Sequence, residues 1–246
     1  MNAWTEGKTI LVTGAGKRLG RAIALDLASH GASIAVHVFQ SREAGEETAA
    51  SCRALGAKAC VVAADQSNVE DVRRACLRAT DAMGPIDGLV NSAAIWPKVP
   101  FDDTSQADFD TAINTNLRGP FFFAQELSRG MLARKDGAIV NLADVSTDRP
   151  ITDAIPYTLA KSGLVTLTTA LAKELAPFIR VNCVSPGPIE FPVRYSSEDA
   201  QKDIRATLLQ RHGEAEDVAA AVRYAMNARY VTGTVLPVDG GFRFGI

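Results

Sequence analysis

Two residues that can move protons, Tyr157 and Lys161, stand four apart in a segment with helical periodicity. Side chains with this spacing lie on one face of a helix. Because a neighbouring ammonium favours the ionised phenolate, the pair predicts that Lys161 lowers the pKa of Tyr157 and makes it a usable proton donor near neutral pH. The alternative is a tyrosine and a lysine that share a solvated helix face by chance.

A glycine-rich turn near the N-terminus is a second candidate site. The sequence TGAGKRLG at positions 13–20 follows an apolar run and precedes a helical segment. Glycines in such a turn let the backbone approach a pyrophosphate, which the free N–H groups at the start of the helix would bind. The pattern predicts a dinucleotide site, the alternative being an ordinary turn. Its candidate cofactor ligands are Gly14, Lys17, Arg18, Leu19 and Gly20.

The end of the second apolar run favours NADP(H) over NAD. An NAD-preferring site places a carboxylate there to bind the ribose hydroxyls, whereas this chain has VFQSR at positions 38–42. Lys17, Arg18 and Arg42 supply cations that match a 2′-phosphate. We expect Ser41 and Arg42 to contribute to this part of the site. The alternative is that these cations are solvated surface groups.

Short apolar runs alternate with helical segments along the whole chain. Strands are expected at Thr9–Thr13, Ser33–Val38, Lys58–Ala63, Asp87–Asn91, Ala138–Leu142, Arg180–Val184 and Thr234–Val238. Helices are expected at Arg18–Ser29, Glu43–Leu55, Val69–Ala82, Gln106–Ala133, Ile155–Leu175 and Glu216–Asn227. This alternation predicts a parallel sheet with helices on both faces, in one domain over residues 1–246. The connection over residues 186–213 is too long for an ordinary loop and is predicted to be a substrate loop that acts as a lid.

The composition excludes several classes of function. The 246 residues carry 26 Lys plus Arg and 28 Asp plus Glu, which gives no electrostatic reason to expect nucleic acid or an anionic membrane as partner. The longest stretch without a charged residue, Leu27–Ser41, is too short to span a bilayer, and the N-terminus lacks the apolar segment of a secretory signal. Four cysteines without metal-site spacing predict reduced thiols, no metal and a cytoplasmic location.

Further motifs complete a pattern that spans nearly the whole chain. They are Asp65 after the third predicted strand, Asn91-Ser92-Ala93 after the fourth, Asn116 in the long helix, Ser185-Pro186-Gly187, and Val238-Asp239-Gly240-Gly241 near the C-terminus. With the glycine-rich turn and the Tyr–Lys pair, they make the chain resemble the short-chain dehydrogenase/reductase family.

This resemblance implies a single-domain Rossmann fold with a doubly wound, parallel seven-stranded sheet, commonly assembled as a homotetramer. It implies that Tyr157 is the catalytic acid/base, that Lys161 also holds the nicotinamide ribose, and that Asn116 keeps a water in a proton relay. It also implies a small-molecule substrate and further cofactor ligands at Asp65, Asn91, Ala93, Pro186, Gly187 and Ile189.

The chain departs from the family pattern at the residue that normally binds the reacting oxygen. The family has a serine 13 residues before its tyrosine, where this chain has Asp144, and Ser146 is two residues out of register. A carboxylate would repel an oxygen that gains negative charge, whereas it would favour a nitrogen that is being protonated. Asp144 is therefore predicted to be a catalytic residue suited to C=N reduction, orienting the substrate through a water.

A narrower resemblance follows from this substitution. The sequence TGAxKRLGR from position 13, with aspartate in place of the serine, resembles the pteridine reductases, which are NADPH enzymes that reduce dihydropterins and folates. In those enzymes an aromatic residue after the fourth strand stacks on the pterin, and Trp96 has the matching position. The alternative for Trp96 is ordinary partial burial beside Pro97. The candidate substrate residues are Arg18, Trp96, Asp144, Tyr157, Phe191 and Arg194.

Two other functions remain open from the residues. One replaced side chain does not define a pocket, so the substrate could be a ketone, an aldehyde or a cyclic imine. More remotely, the chain could be a non-catalytic NADP-binding sensor or scaffold, because a fold does not fix function. His30, His37 and His212 are expected to have surface or cofactor-edge roles and not to be acid/base groups.

Overall fold

The computed structural model describes residues 3–189 and 196–245. These residues form a seven-stranded sheet with the order β3-β2-β1-β4-β5-β6-β7, in which all neighbouring strands are parallel. The strands are β1 Thr9–Val12, β2 Ser33–Val38, β3 Ala59–Ala63, β4 Gly88–Asn91, β5 Gly137–Leu142, β6 Ile179–Pro186 and β7 Val235–Val238. The doubly wound Rossmann sheet predicted from the sequence is confirmed.

Helices cover both faces of this sheet. They are α1 Arg18–Ser29, α2 Arg42–Ala54, α3 Val69–Met83, α4 Gln106–Ile113, α5 Gly119–Arg134, α6 Ile155–Glu174, α7 Ser197–Ala206 and α8 Ala215–Asn227. Alternate residues of β1 show why its apolar run is continuous: Ile10 and Val12 lie in the core under α1 and α8, while Leu11 lies in the core under α3 and α5. Burial on both faces requires apolar residues at every position of the strand.

The long helix predicted over Gln106–Ala133 is interrupted in the structure. A π-helical turn, Asn114–Arg118, separates α4 from α5. Pro120 lies in the first turn of α5 and has no N–H to donate to the carbonyl of Asn116, so the regular α pattern cannot continue through this point. The uninterrupted helix was therefore a wrong prediction, and Gly119-Pro120 was the signal for the break.

The connection over residues 186–213, predicted to be a substrate loop, contains α7, and its role as a lid stays a prediction. Ser196 begins this helix with its hydroxyl accepting a hydrogen bond from the Asp199 N–H at 3.0 Å. Gly213 N donates to Pro188 O at 2.9 Å, which brings the two ends of the connection together at the carboxyl end of β6. Within residues 3–189 and 196–245, no helix is long and apolar enough to cross a membrane.

Candidate active site

The candidate residues converge at the carboxyl edge of the sheet, where open α/β sheets bind ligands. The turn after β1 and the segment after β4 meet there. A Cβ atom at Gly14, which has a φ of +66°, would lie 2.8 Å from Ala93 Cα. Thr13 Oγ1 accepts hydrogen bonds from the N–H groups of Ser92 and Ala93, both at 3.0 Å.

The start of α1 has the geometry of an anion site. A Cβ atom at Gly20 would overlap Gly14 O, so only glycine lets the helix lie this close to the turn. Lys17 is the N-cap residue, and a lysine side chain has no acceptor with which to cap the helix. The first N–H groups of α1 are thus available to a ligand, and the glycine cradle fits a pyrophosphate.

Lys17 and Arg18 are both exposed at this helix start, whereas Leu19 is half-buried. Arg18 has a left-handed backbone with a φ of 50°. It stands where the family pattern has a middle glycine, and a non-glycine residue accepts about 1 kcal/mol of strain in this conformation. The chain therefore places a guanidinium beside the phosphate cradle at some cost in backbone energy.

His37 on β2 is a part of this site that the sequence did not reveal. Its Nδ1 accepts a hydrogen bond from Gly14 N at 3.4 Å, and its Nε2 donates to Ala64 O at 3.1 Å. Burial lowers the pKa of His37 from 6.5 to about 4, so the imidazole stays neutral with its proton on Nε2. The predicted surface role is wrong for His37, which is buried and ties the glycine-rich turn to the end of β3, while a cofactor-edge role stays a prediction. A polar residue in an otherwise apolar strand was the available signal.

The residues predicted to bind the adenosine end lie at neighbouring strand ends. Ser41 is the N-cap of α2 and Arg42 its first residue, and both side chains are exposed. Asp65 is half-buried after β3, where its Oδ1 accepts a hydrogen bond from Ser67 N at 2.8 Å. Their contacts with a cofactor stay predictions.

The catalytic candidates Asp144 and Tyr157 are in direct contact. Tyr157 Oη donates a hydrogen bond to Asp144 Oδ2 at 2.8 Å, and the other carboxylate oxygen, Oδ1, accepts from Ser146 N at 2.7 Å. Both oxygens of the carboxylate are therefore held in place, one by the loop after β5 and one by α6. The water through which Asp144 is expected to orient the substrate stays a prediction.

Lys161 is buried on the same face of α6, one turn from Tyr157. Its Nζ donates to Leu142 O at 2.6 Å and lies 5.7 Å from the centre of the Tyr157 ring. Burial lowers the pKa of the Lys161 ammonium, while the charge of Asp144 acts in the opposite direction. The position of this cation beside the phenol is as the spacing predicted.

The predicted direction of the Tyr157 pKa shift is wrong. Burial raises the pKa of Tyr157 well above its ordinary value, and the charge of Asp144 and its hydrogen bond raise it further. Ionising the phenol would place a second negative charge next to the Asp144 carboxylate in a buried position. Tyr157 is therefore a protonated phenol.

Asn116 and Gln66 fix the segment that follows β4. Asn116 Oδ1 accepts from Ile95 N, and its Nδ2 donates to Ile95 O, both at 3.0 Å. Gln66 Nε2 donates to Ala93 O at 3.1 Å and to Thr115 O at 2.7 Å. The Asn116 side chain thus positions the backbone beside Trp96, and its role in a water relay stays a prediction.

Trp96 is half-buried in this segment, with Lys98 Nζ 4.7 Å from the centre of one of its rings. Val99 N donates to Asp153 O at 2.7 Å, just before α6 begins. The segment that contains Trp96 therefore runs from the Asn116 contact to the start of the helix that carries Tyr157. Stacking of Trp96 on a substrate stays a prediction. Phe191 and Arg194 lie outside the described residues.

The remaining cofactor candidates line the strand ends on either side of the catalytic group. Asn91 is buried and donates to Asn141 Oδ1 at 2.9 Å, which ties β4 to β5. Pro186 ends β6, Gly187 N donates to Val238 O at 2.9 Å, and Ile189 is buried. The role of each of these residues in cofactor binding stays a prediction.

Comparisons with known proteins agree with this arrangement. Residues 14–243 match the family model described as enoyl-(acyl carrier protein) reductase. The 3-oxoacyl-(acyl-carrier-protein) reductase FabG of Staphylococcus epidermidis is 32% identical over 239 residues, which cover 95% of this chain and 98% of that protein. L-xylulose reductase of Mus musculus is 34% identical over 250 residues, 98% of this chain and 99% of that protein. The crystal structure of FolM alternative dihydrofolate reductase 1 from Brucella canis, complexed with NADP, superposes with a TM-score of 0.92 at 34% identity and covers 98% of this chain and 96% of that chain.

A parallel Rossmann sheet with a glycine cradle after β1 and a buried Tyr–Lys pair after β5 defines an oxidoreductase. Other similar solved structures hold NADP or NADPH as well. Because the family model matches residues 14–243, the chain belongs to the short-chain dehydrogenase/reductase family.

Proposed function

We propose that this protein is an NADPH-dependent reductase that transfers a hydride to a C=N bond of a pteridine-like or dihydrofolate-like substrate. The observation that carries the proposal is the 2.8 Å hydrogen bond from Tyr157 Oη to Asp144 Oδ2. A carboxylate in this position disfavours a developing oxyanion and favours a nitrogen that takes up a proton. The solved structure of a FolM dihydrofolate reductase supports the same substrate class.

The residues of this chain supply the proton and the electrostatic setting. The nicotinamide cofactor, when bound, supplies the hydride that adds to the carbon of the C=N bond. Tyr157 delivers its proton to the nitrogen, so that the bond becomes CH–NH, and the phenol is then reprotonated from solvent. Asp144 stabilises the positive charge on nitrogen during the transfer, while Lys161 holds the nicotinamide ribose and offsets the carboxylate charge.

NADP(H) is the proposed cofactor because the cradle at the start of α1 fits a pyrophosphate and its neighbours are cationic. Lys17, Arg18 and Arg42 are exposed near the carboxyl edge of the sheet, with Ser41 beside them. These side chains match a 2′-phosphate in charge and hydrogen-bonding capacity. Arg18 serves the cofactor, the substrate or both, and Trp96 stacks on the flat heterocycle.

Purified protein mixed with NADPH and either dihydrobiopterin or dihydrofolate tests the proposal. We expect the NADPH absorbance to fall faster than without enzyme, and Tyr157→Phe to abolish the difference. Simple ketones measured in parallel provide the comparison. Clear turnover of ketones with none of either pterin would show that the substrate assignment is wrong.

The second candidate function is reduction of a ketone, an aldehyde or a cyclic imine. The relatives favour it, because 3-oxoacyl-(acyl-carrier-protein) reductase and L-xylulose reductase are similar to this chain over nearly all its length. This function fits the fold and the Tyr–Lys pair equally well. The charge at Asp144 separates reduction of a C=N bond from reduction of a carbonyl, but it does not separate a pterin from a cyclic imine. Cofactor binding without turnover on a carbonyl, imine and pterin panel would instead favour a non-catalytic NADP-binding sensor or scaffold.

We also propose that the protein works in the cytoplasm as a homotetramer. Three apolar side chains, Phe109, Phe121 and Leu159, are exposed on the helices α4, α5 and α6, and their burial between copies of the chain would remove them from water. Light scattering during size-exclusion chromatography tests the assembly, and a monomer at micromolar concentration would contradict it. Cys52, Cys60, Cys76 and Cys183 are free thiols, and the proposed cytoplasmic location would keep them reduced.

A further inference from the structure

The C-terminal segment, residues 239–245, leaves β7 at the edge of the sheet and turns back over it. Asp239 shapes this turn, because its Oδ1 accepts a hydrogen bond from Gly241 N at 3.0 Å and its Oδ2 accepts from Arg243 N at 3.1 Å. A single 3₁₀ turn, Phe242–Phe244, follows. The segment therefore has a defined conformation set by its own first side chain.

One side of the C-terminal segment contacts the loop after β5. Arg149 Nη1 donates to Phe242 O at 3.4 Å and to Gly245 O at 3.3 Å, and its guanidinium lies 5.0 Å from the centre of the Phe242 ring. Arg243 Nη1 lies 4.0 Å from Asp148 Oδ2. Because β6 separates β7 from β5 in the sheet, these contacts pass over the end of the strand between them.

The other side contacts the end of α7 and the turn that follows it. Leu209 N donates to Gly240 O at 3.1 Å. A Cβ atom at Gly245 would overlap Ala206 O, so the backbone of the segment lies directly against the last turn of the helix. The C-terminal segment is thus held between α7 and the loop that carries Asp144.

A cavity lies beside this contact. The space of about 300 Å³ lies between the turn after α7 and the end of β7, and its lining includes Ile189, Leu209, Arg211, Pro237 and Asp239. The turn has internal hydrogen bonds, from Thr207 Oγ1 to Arg211 O and from Gln210 N to Thr207 O, both at 3.2 Å. The hydrogen bond and the backbone contact with the C-terminal segment add the link between this turn and the loop that carries Asp144.

We infer that the C-terminal segment is a specificity-determining element, with Arg149 as its positioning residue. It sets the distance between the loop that carries Asp144 and the helix α7, and these two elements flank the carboxyl edge where the substrate binds. This inference rests on the proposed function for its effect on a substrate, while the coupling of the loop to α7 stands on the contacts alone. Loosening the segment should weaken substrate binding and leave the chemical step unchanged.

Two variants loosen the segment from opposite sides. Arg149→Met removes the guanidinium and keeps much of the side-chain length, and Gly245→Ala pushes the segment away from Ala206. Arg149→Lys is the conservative replacement, since it keeps the positive charge and one nitrogen that can donate to both carbonyls, as Arg149 Nη1 does. Arg129→Met is the matched control, because Arg129 is an exposed arginine on α5 with a hydrogen bond to Glu126 of the same helix.

Hydrogen exchange of the Leu209 amide measures the coupling without any substrate. We expect exchange to be at least about tenfold faster in Arg149→Met and Gly245→Ala than in the unaltered protein and in Arg129→Met. Unchanged exchange in both variants would overturn the inference. This readout stays valid if every pterin fails as a substrate, so it separates failure of the coupling from failure of the proposed function.

Steady-state kinetics with NADPH and the best substrate measures the effect on specificity. We expect KM for the substrate to rise about fivefold or more in both variants, with kcat and the Kd for NADPH within about twofold of the unaltered protein, as for a loss of binding shared by ground and transition states. Arg149→Lys should recover part of the KM. A fall in kcat with unchanged KM would contradict the positioning role, because it would mean that the segment acts on the chemical step.

Discussion

Replacing Asp144 by asparagine removes one negative charge from the candidate active site and keeps the size of the side chain. In the structure this charge lies 2.8 Å from Tyr157 Oη, the atom that must also contact the reacting group. The variant should therefore improve the reduction of a carbonyl relative to a C=N bond. Ketone reduction gains because an oxygen that becomes negative is no longer repelled, and pterin reduction loses a stabilising charge.

The contact geometry gives the magnitude. A carbonyl oxygen that accepts a hydrogen bond of about 2.7 Å from Tyr157 lies within about 5.5 Å of Asp144 Oδ2. At an effective dielectric constant of about 20, a full negative charge at that distance is repelled by about 3 kcal/mol. With half of the charge developed in the transition state, the repulsion is about 1.5 kcal/mol. The ratio of kcat/KM for a ketone to kcat/KM for a dihydropterin should then rise between about 10-fold and 150-fold.

The assay follows NADPH oxidation with one ketone and one dihydropterin across a pH series. Asp144→Ser, which restores the residue of the family pattern, should move the ratio in the same direction. In both variants the pKa of Tyr157 should fall, since the charge and the hydrogen bond that raise it are altered. Reduction needs the protonated phenol, so its loss at alkaline pH should begin at lower pH in the variants than in the unaltered protein.

A ratio that changes by less than about threefold in both variants would refute the electrostatic reasoning, because it would be smaller than the repulsion from even half a charge. The same conclusion would follow from an alkaline limit that does not move. Tyr157→Phe serves as the control for chemistry, since it removes the proton and leaves the carboxylate. If ketone and pterin turnover both survive in Tyr157→Phe, the tyrosine does not supply the proton.

Three further predictions concern the supports of the site. The unaltered protein should lose about 3 kcal/mol of stability as pH falls from 6.5 to 4. The reason is that His37 takes up a proton over this range in the unfolded chain, whereas the pKa of His37 in the folded protein is about 4. Urea midpoints of His37→Gln should show a smaller loss. Gly20→Ala should weaken NADPH binding by about 5- to 150-fold, since its Cβ would displace Gly14 O, whereas Gly130→Ala on α5 should leave the Kd for NADPH unchanged in the same fluorescence titration. Arg180→Met should lower the free energy of unfolding in urea by about 3 kcal/mol, because Arg180 donates to three carbonyls at the end of α8.

The sheet could be predicted from the sequence because its strands are buried on both faces. A run such as Ile10-Leu11-Val12 is apolar at each position only when helices cover both sides. Spacing also located the Tyr157 and Lys161 pair, since residues four apart share a helix face in any context. The break in the long helix was missed although Gly119-Pro120 marked it, because the apolar periodicity continues through that point.

Contacts between distant parts of the chain could not be predicted in this way. His37 lies against Gly14 and Ala64, and Arg149 lies against Phe242 and Gly245, and neither contact follows from local periodicity. The sequence shows the type of each residue but not which distant residue it contacts. The functional parts of the fold that depend on such partners therefore need the three-dimensional structure.

Tyr157 shows how a residue outside the Tyr–Lys pair can reverse the direction of the pKa shift that the pair alone predicts. With a neutral serine at position 144, Lys161 would be the charge nearest the phenol and would favour the phenolate, as the Tyr–Lys spacing predicts. Burial raises the pKa of Tyr157, and the charge of Asp144, whose Oδ2 accepts the phenol hydrogen bond at 2.8 Å, raises it further. The phenol therefore keeps its proton. The same carboxylate that disfavours an oxyanion therefore also helps to keep Tyr157 protonated, and its charge would stabilise a nitrogen that takes up the proton.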